Sequence, residues 1–131
     1  MVTVENAVAL NATNWEKEVS QSGALTVVYF WHEQCPWCAR LSPIFEEITA
    51  EYPRRVKFAK LNILETRSNQ EMAANLGVMS TPTLMFLCSG RPLMQVVGFM
   101  SKEDLENALG EMLGKYRKCI RQSTDLRSYI V

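Results

Sequence analysis

The chain has a single histidine, His32, and no net charge. Fourteen Lys and Arg are balanced by fourteen Asp and Glu, so no basic surplus answers a phosphate backbone, and nucleic-acid binding is not expected. One histidine also leaves few nitrogen ligands for zinc. Structural zinc wants four ligands, commonly from two paired spacings, and only Cys35 and Cys38 are paired here. No metal is therefore expected. No apolar run approaches the roughly 20 residues that a membrane helix needs. Met1-Val2-Thr3-Val4-Glu5-Asn6 lacks a basic stretch and an apolar core, so it does not read as a secretory signal, and a cytoplasmic protein is expected. Repeats, low-complexity tracts and linkers are missing as well. At 131 residues the chain is long enough for one domain with its own core.

Four cysteines allow three pairings of a secreted disulfide framework. A domain of this size does not need such staples, and Cys88 and Cys119 are isolated in sequence. The informative pair is Gln34-Cys35-Pro36-Trp37-Cys38. It follows the apolar run Leu25-Thr26-Val27-Val28-Tyr29-Phe30-Trp31 and precedes a helical pattern. A thiol at a strand-to-helix junction meets outward-pointing N–H groups and the positive end of the helix dipole. That field favours thiolate, the species that attacks disulfides. The pair reads as a redox site.

The remaining pattern alternates. Thr13-Asn14-Trp15-Glu16 fits a capping box that opens a helix to about Ser20. Leu25 to Trp31 is too continuous for a half-exposed strand and reads as a buried central one. Leu41, Ile44, Phe45, Ile48 and Tyr52 share one helical face, with Pro43 expected to kink that helix. Val56 to Ile63 alternates as a strand. Ser68-Asn69-Gln70-Glu71 reads as a second capping box, opening a helix that Gly77 closes. Thr83 to Cys88 and Leu93 to Phe99 form a hairpin across Ser89-Gly90-Arg91-Pro92. Ser101 caps a last helix with Leu105, Ala108, Leu109, Met112, Leu113 and Tyr116 on one face. A short edge strand near Val8-Ala9-Leu10 precedes all of this. The order implies an α/β fold, a mixed sheet with helices on both faces.

From about Leu10 to Leu113 the sequence resembles the thioredoxin family. Val28-Tyr29-Phe30-Trp31 leads into Cys35-Pro36-Trp37-Cys38, and Pro43 stands five residues after the second cysteine. Ser80-Thr81-Pro82-Thr83 is similar to that family's cis-proline loop. Val97-Gly98-Phe99 before Ser101-Lys102-Glu103-Asp104-Leu105 is similar to its last strand and helix. The departures are specific. Pro36-Trp37 replaces the family's Gly-Pro and lies closer to the Pro-Tyr of glutaredoxins, although the flanking glutaredoxin signals are missing. Gln34 replaces a tryptophan, and Tyr29 stands where the family has a buried carboxylate.

The resemblance implies a thioredoxin fold over residues 1–114, with 115–131 as a C-terminal extension or tail. It implies a thiol–disulfide oxidoreductase that reduces protein disulfides. Cys35 would attack, and Cys38 would resolve the mixed disulfide. The couple needs no cofactor beyond the Cys35–Cys38 disulfide. Implied partners are disulfide-bearing proteins and a thioredoxin reductase or small-thiol electron donor, with the chain a monomer. Pro82 would be cis, with Thr81 pairing an extended substrate segment. Trp31, Pro36, Trp37 and Gly98 would complete the rim, Trp31 serving equally as core. Lys60 matches the family's strand lysine. Tyr29, Lys60 and His32 are candidates for the proton path, His32 being equally a plain surface residue. Cys88 reads as a small buried apolar residue, and Cys119 as a tail residue with a regulatory or dimerising role open to it. The rival readings are a thiol oxidase or isomerase, a glutaredoxin-like reductase, and a redox-sensing binding module without catalysis.

Overall fold

The computed structural model describes residues 7–52 and 56–115. Its strands are β1 (Ala7–Leu10), β2 (Leu25–Trp31), β3 (Val56–Asn62), β4 (Thr83–Cys88) and β5 (Arg91–Val97). A short turn of π-helix, Glu16–Ser20, joins β1 to β2. Helix α1 spans Pro36–Glu51, α2 spans Arg67–Asn75, and α3 runs over 102–115. The sheet order is β1-β3-β2-β4-β5. β1, β3 and β2 run parallel, β4 is antiparallel to β2, and β5 is antiparallel to β4. This is the mixed sheet expected from the alternation of elements.

Both sheet faces are covered, which is why β2 is apolar without alternation. Leu25, Val27 and Tyr29 face α1 and α3, packing with Leu41, Phe45, Ile48, Leu105 and Leu109. Val28 and Phe30 face the opposite layer, with Val19 of the π-helical turn and Ala73 of α2. The helical face read from Leu41, Phe45 and Ile48 is thus buried as expected. Tyr29 packs on Phe45 with the rings tilted and 5.0 Å apart, and Phe45 meets Phe58 edge-on at 5.7 Å. Such ring pairs add to what burial alone contributes. Lys102 joins α3 to α1 by reaching Glu51 at 2.8 Å and Glu47 at 3.3 Å.

Several local expectations need correction. The first capping box does not form, since Trp15 precedes the π-helical turn without a side-chain cap. Asn11 and Asn14 take over. The Asn11 carboxamide accepts from the Thr13 and Asn14 N–H groups, and Asn14 accepts from the Asn11 N–H. Short amide side chains compete for local backbone groups in this way. The second box also fails: Thr66 caps α2 by accepting from the Asn69 N–H at 2.9 Å. Gly77 does close α2, at φ +87°. The hairpin turn is two residues, Ser89 and Gly90, so β5 starts at Arg91 and ends at Val97. Phe86 pairs with Met94 and Leu87 with Pro92, which leaves Leu93 as the extra residue of a bulge. Cys88 is buried, as expected. Met79 is 87% exposed. Cys119, Tyr116 and the extension from 116 onward lie outside the described residues. Among the described residues no helix is long and apolar enough to cross a membrane.

Two glycines make opposite predictions. Gly90 sits at φ +81°, and a Cβ there would lie 2.8 Å from the Ser20 backbone. Gly90→Ala should cost about 1–3 kcal/mol of unfolding free energy. Gly110, inside α3, has no atom near such a Cβ. Gly110→Ala should gain roughly 0.5–1 kcal/mol. Urea titrations of the two variants and the parent check both signs.

Candidate active site

β2 ends at Trp31, and a three-residue loop, His32 to Gln34, carries the chain to Cys35. Cys35 has extended backbone (φ −100°, ψ 109°) and is the N-cap of α1. Pro36 occupies the first helical position, where its fixed φ fits and its missing N–H costs nothing. The Cys35 Sγ accepts from the Cys38 N–H at 3.1 Å. Cys35 and Cys38 are joined by a disulfide, with Cα atoms 5.1 Å apart. Cys35 retains 7% exposure and Cys38 only 2%. The first turn of α1 carries no acidic residue. Nothing there offsets the positive field of the helix start.

Tyr29 lies beneath this turn. It is fully buried. Its hydroxyl donates to the Cys38 carbonyl at 2.8 Å and is hydrogen-bonded to the Ser42 hydroxyl at 2.9 Å. The donation fixes the second: Ser42 must then donate to the tyrosine oxygen. Tyr29 therefore pins the helix turn bearing Cys38 onto the central strand. Burial raises its phenol above the ordinary value near 10; the Ser42 bond opposes this and the charge of Glu46 adds to it. At neutral pH the group is a neutral hydrogen-bonding anchor.

The loop before β4 comes to the same end of the sheet. The Thr81–Pro82 bond is cis. Thr83 Oγ1 donates to the Ser80 carbonyl at 2.7 Å, and the Gly98 N–H donates to the Pro82 carbonyl at 2.8 Å. Gly98 holds φ +98°, a region that favours glycine. Trp37, Thr81, Pro82, Gly98 and Phe99 line an apolar groove of about 340 Å³. Trp37 is 53% exposed and packs against Phe99 at a tilt, with ring centres 5.8 Å apart.

The other expected residues lie apart from this groove. Pro36 is exposed at the helix start. Trp31 is half-buried against the core and lines a separate cavity of about 350 Å³ on the β3 side, with Glu33, Lys60, Asn62 and Glu65. The Lys60 ammonium stands 5.0 Å from the Trp31 ring and 3.7 Å from Glu46. His32 Nδ1 accepts from the Gln34 N–H at 3.2 Å. Among the described residues no hydrogen bond connects Tyr29, Lys60 and His32 into one path. Three residues of the site escaped the sequence reading. The apolar pattern carries the last strand through Phe99, whereas β5 ends at Val97 and leaves Phe99 in the groove wall. Arg40 is one helical turn beyond Trp37 and lies over its ring at 4.9 Å. Ser42 is one turn beyond Cys38.

A family model described as Thioredoxin matches residues 6–111. The thioredoxin of Alicyclobacillus acidocaldarius is 35% identical over 104 residues, covering 79% of this chain and 95% of that protein. Thioredoxin 1 of Synechococcus elongatus is 34% identical over 107 residues, 82% and 97% of the two chains. The thioredoxin of Staphylococcus haemolyticus is 35% identical over 106 residues, 81% and 97%.

The Tyr29 anchor predicts an alkaline signature. A phenol whose folded pKa is raised binds its proton more tightly in the folded state. Its stabilising effect is complete below the unfolded value near 10 and is lost as pH rises through the folded value. Tyr29→Phe should lose about 0.5–1.5 kcal/mol at neutral pH. It should also show a shallower loss of stability above pH ~10 than the parent. Chemical denaturation from pH 7 to 11 measures both effects.

Proposed function

The chain belongs to the thioredoxin family and is a thiol–disulfide oxidoreductase, and from that premise we propose that it reduces protein disulfides with Cys35 as nucleophile and Cys38 as resolving thiol. The observation that carries the assignment is the N-cap bond from the Cys38 N–H to the Cys35 Sγ. The same donor that caps the helix stabilises a thiolate at Cys35. Cys38, one turn inside and more buried, is shielded from direct attack on a large substrate.

The chemistry proceeds in two exchanges. The Cys35 thiolate attacks one sulfur of the substrate disulfide. A Cys35–substrate disulfide forms, and the other substrate sulfur leaves as thiolate. Cys38 then loses its proton and attacks the Cys35 sulfur. The Cys35–Cys38 bond closes, and the second substrate thiolate leaves. Two electrons have passed from the dithiol to the substrate, and the two cysteine protons end on the substrate thiols or in water. With Tyr29 neutral and the Lys60 ammonium already paired with Glu46, the Cys38 proton leaves through water or His32. Thr81 offers backbone groups to an extended substrate segment, and Trp37, Pro82 and Gly98 form the surface against it.

The couple is the disulfide itself, and no metal or organic cofactor enters this reading. A thioredoxin reductase or a small thiol returns the electrons. The names of the relatives support this donor class over a glutaredoxin-like cycle. The reading places the protein in the cytoplasm, because a dithiol reductant works where thiols are kept reduced. All the groups named come from one chain, so the reading takes it to act as a monomer, with residues 1–114 as the working domain.

Cys35→Ser should abolish reduction of insulin by dithiothreitol above the uncatalysed rate. Cys38→Ser should still attack and then stall. Mass spectrometry of Cys38→Ser with a disulfide substrate should show a covalent adduct. Adducts formed equally well by Cys35→Ser through Cys38 would reverse the roles.

A further inference from the structure

The charged groups around the redox pair are segregated by the sheet order. β2 delivers Cys35, with β3 on one side of it and β4 on the other. On the β3 side, Glu33 and Glu65 line the cavity beside Trp31, and Lys60 there already has Glu46 at 3.7 Å. On the β4 side lies the apolar groove of Trp37, Thr81, Pro82, Gly98 and Phe99, whose five lining residues carry no charged side chain. Arg40 stands at its edge. Its guanidinium rests 4.9 Å above the Trp37 ring, is exposed, and makes no ion pair with a described residue. Trp37 is held between that cation and Phe99, at 5.8 Å. The indole thus holds the guanidinium at the groove's edge, with its donors unspent among the described residues.

A guanidinium held flat on an aromatic ring is weakly hydrated and presents N–H groups at its rim in carboxylate-matching geometry. We propose that Arg40, seated on Trp37, makes this site select disulfide-bearing segments that carry an acidic side chain beside the apolar residue entering the groove. The proposal rests on the reductase reading and narrows its substrate class. The occupant is an extended peptide segment: a bulky apolar residue contacts Trp37 and Phe99, and a neighbouring Glu or Asp reaches Arg40. The electron steps are those already described. Arg40 touches no reacting sulfur and acts on encounter and affinity. Exposed ion pairs are worth little each, so the expected selectivity is about two- to fivefold. It should fade at about 1 M salt, where the screening length falls to about 3 Å.

The test uses the full chain, reduced with dithiothreitol and freed of excess reagent. The substrates are two symmetric peptide disulfides with Cys beside Leu, one carrying Glu and the other Lys next to that Leu. Each rate constant is divided by the rate of the same peptide with dithiothreitol, which removes differences in intrinsic disulfide reactivity. The parent should favour the Glu peptide about two- to fivefold at low salt. Arg40→Glu should reverse the preference, and Arg40→Lys should keep its sign. An unchanged ratio in Arg40→Glu overturns the proposal, as does a preference that persists undiminished at 1 M salt. If the parent reduces neither peptide faster than dithiothreitol, the reductase reading fails, and the selectivity proposal with it.

Discussion

A single hydrogen bond organises this molecule's chemistry: the backbone N–H of Cys38 reaching the sulfur of Cys35 at 3.1 Å. It is a helix cap before it is anything catalytic. A helix start leaves N–H groups without partners, and the residue before it is asked to supply an acceptor. Here the acceptor is sulfur. The need of the helix for a cap and the need of the thiolate for a donor are met by the same contact. Pro36, the lack of acid in the first turn, and the extended backbone of Cys35 all serve that geometry.

The rest of the fold keeps that junction in place. β2 is the middle strand, buried on both faces, so its end is held by packing on four sides. Tyr29 then fastens the turn carrying Cys38 to the strand through its carbonyl and through Ser42. A carboxylate at this strand position would add a buried charge with a desolvation cost. A phenol gives an anchor without the charge and without a base at neutral pH. The cis-proline loop is fixed from both sides by Thr83 and Gly98, and it brings the apolar groove to the same sheet end. The aromatic pair Trp37 and Phe99, with Arg40 on its outer face, is where this chain's rim acquires a charged edge.

Much of this was legible because long-range burial leaves strong marks. Leu25 to Trp31 announced a two-sided core strand, and Leu41, Phe45 and Ile48 announced the face of α1 that covers it. Cys35 and Cys38 stood out because their spacing has few uses. The helix starts were less legible, for a physical reason. Thr13 and Ser68 looked like caps, yet Asn11, Asn14 and Thr66 took those roles. Any short polar side chain within a few residues can satisfy the same N–H groups, and tertiary packing chooses among them. The site's periphery was hidden for a different reason. Arg40 and Ser42 are ordinary helix residues until the fold sets one above Trp37 and the other against Tyr29. Phe99 becomes a groove wall only because β5 ends two residues earlier than its apolar pattern suggests.

The central claim is that the cap makes Cys35 the thiolate of the pair. It is tested most directly by titrating the reduced protein through the thiolate absorbance near 240 nm, with Cys38→Ser isolating Cys35. The account predicts that Cys35 titrates clearly below the ordinary thiol value of about 8.5, as thiols at helix starts do. In the Cys35→Ser variant, Cys38 should titrate above Cys35, because it is buried and lacks the cap. A Cys35 midpoint at or above 8.5, or a Cys38 that ionises first, would contradict it.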